Sequence, residues 1–341
     1  MVSKSKWQVL VVGARWDICR VPIYRSVGGR LVKTLLSSCC CCSCLYCEFR
    51  SGRRVPREQW RVDELVEVVY RLWSRGEVRG LFLSSCMFSD PDRVSEMEVE
   101  VAEKLRKLGF RGYIHLRLMP GTDRDVIRRA AEVADRIGIN LEAPTPSMFS
   151  ELCPDKGDFV NDVLKRLLWC IEECRGRSCK VDTQVVVGAL EDRDTQYLKL
   201  MKYLLHRGIY LIHFSAFEPV HKTPLERRRP CPKSRQKALY QALFLMRDYG
   251  FSLEELLELC RDGMLPHVDL KLVYARLRSD MFPVDISTAS FRELVRVPGI
   301  GPRTARKILE LRQERGRVDV IELRKVLGPR YRRAIKYLSF T

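Results

Sequence analysis

The sequence has no long apolar run. No stretch of apolar side chains approaches the ~18–20 residues that a membrane-spanning helix needs, so we expect no segment that crosses a membrane. The apolar segment near the start, Val9-Leu10-Val11-Val12, is too short for the hydrophobic part of a secretion signal and is more typical of a β-strand. These absences predict a cytoplasmic protein.

Acidic residues are outnumbered by basic ones. The 341 residues include 61 Lys and Arg but only 43 Asp and Glu, which gives a formal charge of +18. Residues 276–341 alone hold sixteen Lys and Arg and seven Asp and Glu, a net charge of +9. An excess of this size predicts an anionic partner, either nucleic acid or an acidic membrane face.

A CxxC pair outside residues 39–47 is also missing, although the chain has 14 cysteines. A structural zinc site usually takes four ligands from two separated pairs, and Cys44-x2-Cys47 supplies only one. A disulfide cluster is a further alternative, which the long chain without a secretion signal disfavours, although heat-adapted cytosols keep disulfides. Zinc and disulfides both remain open as alternatives at this point.

The cysteines that are present concentrate in one run, residues 39–47. Its spacing contains Cys40-x3-Cys44-x2-Cys47, with Tyr46 directly before the third cysteine. Three thiolates this close can ligate three irons of a cubane cluster, whereas an electron-transfer cluster would take four cysteines. The open iron would then bind a small molecule, which indicates catalysis. Three more cysteines share the run, and the spacing favours the first set over them: Cys39, Cys41 and Cys42.

Hydrophobic periodicity predicts an alternation of helices and strands after this run. We expect helices at 61–73, 95–108, 123–137, 158–175 and 192–207, and strands at 80–85, 112–118, 138–142, 180–188 and 209–215. Such alternation implies right-handed βαβ units and a parallel sheet. The predicted fold class is α/β, a partial (β/α)6 barrel resembling a TIM barrel, whose chemistry gathers at the carboxyl ends of the strands.

We divide the chain into four predicted segments. Residues 1–30 form an N-terminal extension, 31–232 the barrel, 233–278 a helical linker, and 279–341 a small all-α domain. A Pro- and Arg-rich stretch at 216–235 is predicted to cross the barrel mouth as a loop, and a helix is predicted at 234–249.

The last segment contains a helix-hairpin-helix pattern, Leu294-x2-Val297-Pro298-Gly299-Ile300-Gly301-Pro302-x2-Ala305-x2-Ile308. Two glycines permit a sharp turn and let phosphate approach the bare backbone, where the helix N-terminus favours an anion. The predicted nucleic-acid-binding residues are Pro298, Gly299, Ile300, Gly301, Arg303, Arg306 and Lys307. Such contacts position a protein on nucleic acid without reading its sequence. A plain helical hairpin is the alternative.

Taken together, these motifs resemble a family of radical S-adenosylmethionine proteins described as DNA modification or repair proteins, over nearly the whole chain. Besides the cysteine run with Arg50, the matching stretches are Ala14-Arg15-Trp16-Asp17-Ile18-Cys19, Gly80-Leu81-Phe82-Leu83-Ser84-Ser85, Gly112-Tyr113-Ile114-His115-Leu116, Asn140-Leu141-Glu142, Val187-Gly188-Ala189, Ser215-Ala216-Phe217, Leu239-Tyr240-Gln241-Ala242, Phe282-Pro283-Val284-Asp285 and Val297-Pro298-Gly299-Ile300-Gly301.

The resemblance implies two cofactors. A [4Fe-4S] cluster would be held by Cys40, Cys44 and Cys47 as metal ligands and catalytic residues. S-adenosylmethionine would chelate the open iron, and an electron from the cluster would cleave it to a 5′-deoxyadenosyl radical. The resemblance also implies a ferredoxin- or flavodoxin-like electron donor as a partner.

The superfamily's cofactor-binding elements transfer to this chain only where residues match. One such residue is Tyr46 of the cysteine run. Ser84 and Ser85 occupy the small-residue motif that receives the amino group of S-adenosylmethionine, and Cys86 follows them where the family usually has glycine. A thiol there could donate a hydrogen atom, although buried cysteines are usually inert.

Two later strands complete the expected cofactor site. The adenine-contacting strand matches Gln184, Val186 and Gly188, with glutamine at its first glycine position. Asn140 and Glu142 would contact the ribose or carboxylate, and the alternative for Glu142 is a salt bridge with Arg117.

Five further residues have alternative roles. His115 is either a core histidine or a proton carrier. The remaining four could form an auxiliary cluster, a disulfide or simple packing: Cys153, Cys170, Cys174 and Cys179.

The sequence therefore predicts a radical enzyme that modifies or repairs nucleic acid, with double-stranded DNA favoured. An enzyme acting on RNA or tRNA is one alternative. A non-catalytic, zinc-stabilised nucleic-acid-binding protein is the other.

Overall fold

The computed structural model describes residues 4–13, 30–316 and 318–340. They form two compact units, the first within Met1–Asp192 and Leu204–Cys231 and the second within Arg193–Tyr203 and Pro232–Thr341. The predicted linker at 233–278 falls within the second unit. The stretch Ala14 to Cys19, part of the family resemblance, lies outside the described residues.

A curled sheet of six parallel strands forms the centre of the first unit, in the order β1 to β6. The strands are β1 Leu31–Leu35, β2 Gly80–Ser84, β3 Tyr113–Arg117, β4 Arg136–Gly138, β5 Lys180–Val187 and β6 Leu211–Ala216. Most of their residues are buried, as expected for parallel strands covered by helices. The prediction of a partial, six-stranded barrel is confirmed.

Helices connect the strands. They are α1 Lys4–Gly13, α2 Val62–Ser74, α3 Pro91–Lys107, α4 Arg124–Val133, α5 Pro146–Leu152, α6 Lys165–Cys174 and α7 Asp194–His206, with a π-helical turn at Phe159–Leu164. α2 buries Leu65, Val68 and Val69 on one face, as the periodicity predicts. α3 begins earlier than predicted because Asp90 caps it, accepting a hydrogen bond from the Arg93 amide, and Pro91 starts its first turn.

Two predicted strands differ from the structure. Residues 9–12 belong to helix α1 rather than to a strand, and Leu10 is fully buried, so packing overrides the strand propensity of the valines. The first strand of the sheet is β1, directly before the cysteine run. The fourth strand ends at Gly138, and Glu142 returns to β5 through an isolated bridge to Val185.

The second unit is mainly helical. Beside part of α7 it contains α8 Lys233–Tyr249, α9 Leu253–Leu257, α10 Leu270–Leu277, α11 Phe291–Leu294, α12 Pro302–Arg315, α13 Val320–Leu327 and α14 Tyr331–Ala334, with two short parallel strands, β7 Val284–Asp285 and β8 Leu338–Ser339. Ile286, Leu294, Val297 and Ile308 belong to its buried core. Among the described residues of the whole chain, no helix is both long and apolar enough to cross a membrane.

Candidate radical-enzyme site and helix-hairpin-helix segment

A cavity in the first unit gathers residues from the cysteine run and from the carboxyl ends of several strands. Its empty volume is about 1000 Å³, including its opening to solvent. It brings together ten of the predicted site residues: Cys40, Cys44, Tyr46, Cys47, Ser84, Ser85, Asn140, Glu142, Gln184 and Val186. Residues separated by more than 100 positions therefore share one wall, because parallel strands end at the same edge.

Backbone hydrogen bonds fix the cysteine run against the segment that follows β2. The Cys41 amide donates to the Met87 carbonyl at 2.7 Å, and the Cys86 amide donates to the Ser37 carbonyl at 2.9 Å. The predicted small-residue motif, Ser84 and Ser85, is thereby held beside the thiols. Cys86 lines the same cavity.

Two arginines bind the carbonyls of the cysteine run. Arg50 donates to the carbonyls of Cys44 and Ser43 at 3.2 and 3.0 Å. Arg57 donates to the carbonyl of Ser38 at 2.6 Å and to that of Phe49 at 2.7 Å. A loop without regular structure needs such partners for its buried carbonyls. Arg57 was not among the predicted residues, because nothing in its sequence context distinguishes it from other surface arginines.

The segment 152–156, which follows α5, also binds the cysteine run. The Leu152 carbonyl accepts the Leu45 amide at 2.9 Å, and the Asp155 carboxylate accepts the Ser43 amide, also at 2.9 Å. Cys153 places its thiol against that of Cys44, within hydrogen-bonding reach. Nothing in the sequence predicts these contacts, because they join residues more than 100 positions apart that share no motif.

The three predicted ligand thiols have different surroundings. Hydrogen bonds with Cys42 and Cys86 lower the pKa of the Cys40 thiol, and a hydrogen bond with Cys153 lowers that of Cys44. Burial raises the pKa of Cys47 to about 12. A bound metal deprotonates a coordinating thiol outright, so a buried thiol is compatible with ligation.

The donor set fits an iron–sulfur cluster better than a single ion. Among the described residues, no three His, Cys, Asp or Glu side chains converge closely enough to hold one metal ion. A cubane takes each thiolate on a different iron, and its ligands are therefore spaced more widely. All 13 described cysteines are free thiols, so none of them forms the disulfide cluster considered from the sequence.

Glu142 lies at the centre of a buried polar group on the cavity wall. It is 1 % exposed, accepts a hydrogen bond from the Tyr46 hydroxyl at 2.8 Å and forms an ion pair with Lys156 at 2.5 Å. Burial alone would lower the pKa of Lys156, but the Glu142 carboxylate raises it well above its usual range. Burial, followed by the charge of Glu142, raises the pKa of Tyr46 well above its usual range.

The backbone of Glu142 is strained and anchored. Its φ is +61°, a left-handed conformation that is rare for residues other than glycine and often marks functional sites. The Glu142 amide donates to the Gln184 carbonyl at 3.0 Å, and its own carbonyl accepts the Val186 amide at 2.8 Å. The alternative salt bridge between Glu142 and Arg117 was wrong, because Arg117 pairs with Asp182 instead.

Asn140 has a buried side-chain oxygen without a protein partner. This Oδ1 atom makes no hydrogen bond within the described residues, although Asn140 lines the cavity. A buried acceptor left unpaired costs about 1–3 kcal/mol, so a ligand donor in the cavity would relieve this cost. The observation fits a cofactor that carries amino or hydroxyl groups.

Gly188, predicted to bind cofactor, does not line the cavity. Its φ is +83°, and a Cβ atom there would lie 2.7 Å from the Cys231 Cβ. Arg228 donates to the Gly188 carbonyl at 3.1 Å. Turn geometry and close packing are therefore sufficient reasons for glycine at this position, and a cofactor role stays a prediction.

His115 is a core histidine in this structure. It is 6 % exposed and lies 3.2 Å from the buried Asp182, which also contacts Arg117 and His213. Burial lowers the pKa of His115 to about 4. The same burial would raise the pKa of Asp182, but the charges of Arg117 and His115 lower it well below its usual range.

The four later cysteines do not share one cage. Cys153 lies beside Cys44, whereas the Cys174 thiol forms a hydrogen bond with that of Cys179. Cys170 is fully buried on α6. Because Cys153 lies apart from the other three, an auxiliary cluster held by all four residues has no support.

The hairpin of the second unit has the predicted geometry. Gly299 has a φ of +97°, and a Cβ there would lie 3.3 Å from the Arg330 carbonyl oxygen. Gly301 precedes α12, and Pro302 begins that helix. Pro298 and Ile300 are buried, and the Ile300 amide donates to the Val297 carbonyl, so these two residues shape the turn.

The predicted basic residues lie on the exposed side of α12. Arg303, Arg306 and Lys307 are all exposed within its first two turns. Arg306 stacks over the Phe291 ring at 5.7 Å, and Lys307 contacts Glu310 at 3.3 Å. The first amides of a helix have no intrahelical acceptor, and together with these cations they can bind an anion.

Two protein families match this chain. Residues 34–204, half of its length, match the Radical SAM superfamily, and residues 282–328 match the helix-hairpin-helix motif. No curated protein sequence matches the chain significantly.

Solved structures are similar to this chain in fold. The crystal structure of HydG, a maturase of the [FeFe]-hydrogenase, is 17 % identical with a TM-score of 0.51, covering 62 % of this chain and 48 % of that protein. HydG from Carboxydothermus hydrogenoformans is 15 % identical with a TM-score of 0.51, covering 87 % of this chain and 75 % of that protein. The chain thus spans about half the length of the first of these structures. At these identities, the likeness concerns the fold alone.

Proposed function

We propose that this chain, which belongs to the radical SAM superfamily, is an enzyme that acts on nucleic acid, with double-stranded DNA as its substrate. Membership in the superfamily implies a [4Fe-4S] cluster and S-adenosylmethionine. When bound, these cofactors supply a 5′-deoxyadenosyl radical. The superfamily match excludes the alternative of a zinc-stabilised, non-catalytic protein. Our proposal concerns the substrate and the residues that bind the cluster, S-adenosylmethionine and the nucleic acid.

For the cofactors, we assign roles by position on the cavity wall. Cys40, Cys44 and Cys47 would ligate the cluster. S-adenosylmethionine would lie along Ser84, Ser85, Asn140 and the β5 residues Gln184 and Val186, and the unpaired Asn140 oxygen would accept one of its donor groups. A ferredoxin- or flavodoxin-like protein would deliver the electron. The protein's part is to orient the cofactors and exclude water.

For the substrate, the supporting observation is the hairpin followed by exposed cations. Arg303, Arg306 and Lys307 stand at the start of α12, next to a turn in which glycine leaves the backbone bare. Contacts of this kind grip the phosphate backbone without reading bases. An atom inside a duplex is out of reach of a radical held in a cavity, so the target nucleotide would be extruded.

A binding experiment tests the substrate class. We expect the full chain to bind double-stranded DNA more tightly than structured RNA of equal length, with an affinity that falls steeply as salt increases. In Arg303→Gln and Arg306→Gln, the slope of log K against log salt should decrease by about one for each lost phosphate contact. Arg315→Gln, at the far end of the same helix, is the matched control and should keep the wild-type slope.

An activity experiment tests the reaction. After anaerobic reconstitution with reductant and S-adenosylmethionine, duplex DNA should stimulate release of 5′-deoxyadenosine, and deuterium should move from labelled DNA into that product. Stimulation by tRNA but not by DNA would favour the RNA-modifying alternative. If neither polymer has an effect and neither is bound, the nucleic-acid proposal is wrong, whereas the superfamily assignment stands.

A further inference from the structure

Lys156 is the one described lysine that lines the cavity holding the three predicted ligand thiols. No motif predicted it, and it comes from the loop that binds the cysteine run. Its side chain is 17 % exposed, and its ammonium lies 2.5 Å from a Glu142 oxygen. The other Glu142 oxygen accepts the Tyr46 hydroxyl. Lys156 is therefore held as a charged group in a fixed place.

The loop that carries Lys156 is cross-linked to the cysteine run on both sides of Cys44. Asp155 accepts the Ser43 amide, and Leu152 accepts the Leu45 amide. Tyr46, from the same run, reaches Glu142. These hydrogen bonds hold the cysteine run in place relative to Lys156 and Glu142. The distances between the two charges and the thiols are therefore fixed by the fold.

We propose that Lys156 and Glu142 act on the reduction potential of the iron–sulfur cluster in opposite directions, with Lys156 favouring the reduced state and offsetting the effect of Glu142. Reduction adds one electron, supplied by an external one-electron donor, and makes the cluster more negative. A fixed positive charge nearby stabilises that state, and a fixed negative charge opposes it. Net charge and solvent exposure are the general determinants of such potentials, and charges act more strongly in a buried site than in water.

Four variants separate charge from packing, because the two single neutralisations should shift the potential in opposite directions and the other two variants should leave it almost unchanged. Lys156→Met leaves Glu142 uncompensated and should lower the potential. Glu142→Gln leaves Lys156 uncompensated and should raise it. Lys156→Met combined with Glu142→Gln removes both charges and should return the potential close to the wild-type value. Lys156→Arg keeps the charge and should also stay close to wild type.

The measurement is a redox titration of the reconstituted full chain without S-adenosylmethionine, followed by electron paramagnetic resonance of the reduced cluster. At the wild-type midpoint, we expect the reduced-to-oxidised ratio to change about tenfold in each single variant, which is about 59 mV for a one-electron couple. Lys165→Met, which removes an exposed lysine outside the cavity, is the matched control and should leave the ratio unchanged. Iron and sulfide content is measured for every variant.

Two results would overturn the inference. One is a wild-type potential in Lys156→Met. The other is a shift of the same sign in Lys156→Met and Glu142→Gln, which would indicate altered packing. If Lys156→Met binds no cluster, the inference is decided by the sign of the potential shift in Glu142→Gln, measured relative to Lys156→Arg. None of these measurements involves nucleic acid, so their outcome is independent of the proposed substrate.

Discussion

Arg117 and Asp182 form a two-point ion pair inside the first unit. The guanidinium donates to the two carboxylate oxygens at 2.8 and 3.2 Å, and the residues are 3 % and 0 % exposed. Arg117 is on β3 and Asp182 on β5, with β4 between them in the sheet. The pair spans Gly138, where a Cβ would lie 2.4 Å from an Asp182 oxygen. The last position of the fourth strand therefore has room for glycine only.

Removing the charge of Asp182 should destabilise the first unit. In Asp182→Asn, Arg117 would remain buried without its counter-charge, and breaking a buried pair in this way costs about 3–5 kcal/mol. We expect the free energy of unfolding of β3 and β5, measured by hydrogen exchange of their amides, to fall by about that amount. Glu67→Gln removes one partner of an exposed pair with Arg71 and should change it by less than about 0.5 kcal/mol. Equal effects in both variants would contradict the argument.

The sequence was most informative where chemistry depends on short spacing or on strand ends. Cys40, Cys44 and Cys47 are close in the chain, so their shared cavity follows from local spacing. Ser84 and Gln184 could be predicted to meet because parallel strands end at one edge. Both arguments need only the order of the elements.

Other parts of the site could not be predicted because they depend on tertiary contacts between loops. Nothing in the sequence pairs Lys156 with Glu142, and Arg117 was an equally good partner on paper. Position 142 is neither glycine nor asparagine, so nothing in the sequence predicts its left-handed backbone conformation. Similarly, the valines of α1 favour a strand by propensity, and only the burial of Leu10 explains a helix.

The choice of cluster ligands can be tested within the cysteine run itself. Cys44→Ala should lose most of the iron that the chain retains after anaerobic reconstitution, because Cys44 is buried on the cavity wall. Cys41→Ala should retain wild-type iron, because Cys41 is exposed and outside the cavity lining. Iron and acid-labile sulfide per chain, with the visible absorption of the cluster, provide the measurement. Full iron in Cys44→Ala, or its loss in Cys41→Ala, would show that the assignment from spacing is wrong.

The hairpin glycine can be compared with a glycine of similar backbone conformation. Gly299 and Gly316 have φ values of +97° and +75°, but only at Gly299 would a Cβ meet other atoms, the Arg330 carbonyl and Ala334. Each change to alanine should cost about 1–2 kcal/mol in backbone strain. Gly299→Ala should also displace the hairpin and weaken DNA binding at least about tenfold, measured by fluorescence anisotropy. Gly316→Ala should bind DNA as the wild type does, and equal losses in the two variants would reject a specific role for the hairpin.

Lys271 makes the stability of the second unit depend on pH. Its ammonium is buried, donates to the Ile300 carbonyl of the hairpin at 2.6 Å and lies 5.0 Å from the centre of the Tyr249 ring. Burial lowers the pKa of Lys271 from 10.5 to about 7, and the nearby charges that act on it are those of Asp269 and Arg296. Below pH 7 both the folded and the unfolded chain carry this proton. Between pH 7 and 10.5 the unfolded chain binds more protons than the folded one, so stability from this group rises with pH.

We therefore compare the wild type with Lys271→Met from pH 6 to 10. Other titrating groups largely cancel in the difference between their free energies of unfolding, measured with urea by circular dichroism. This difference should stay flat up to about pH 7 and then shift in favour of the wild type, with a limiting slope of about 1.4 kcal/mol per pH unit. Lys307→Met removes an exposed lysine from the same unit, where water solvates the ammonium in both states, and should give a flat difference. A flat difference for Lys271→Met, or one that falls with pH, would mean that the buried ammonium is not destabilised by its surroundings.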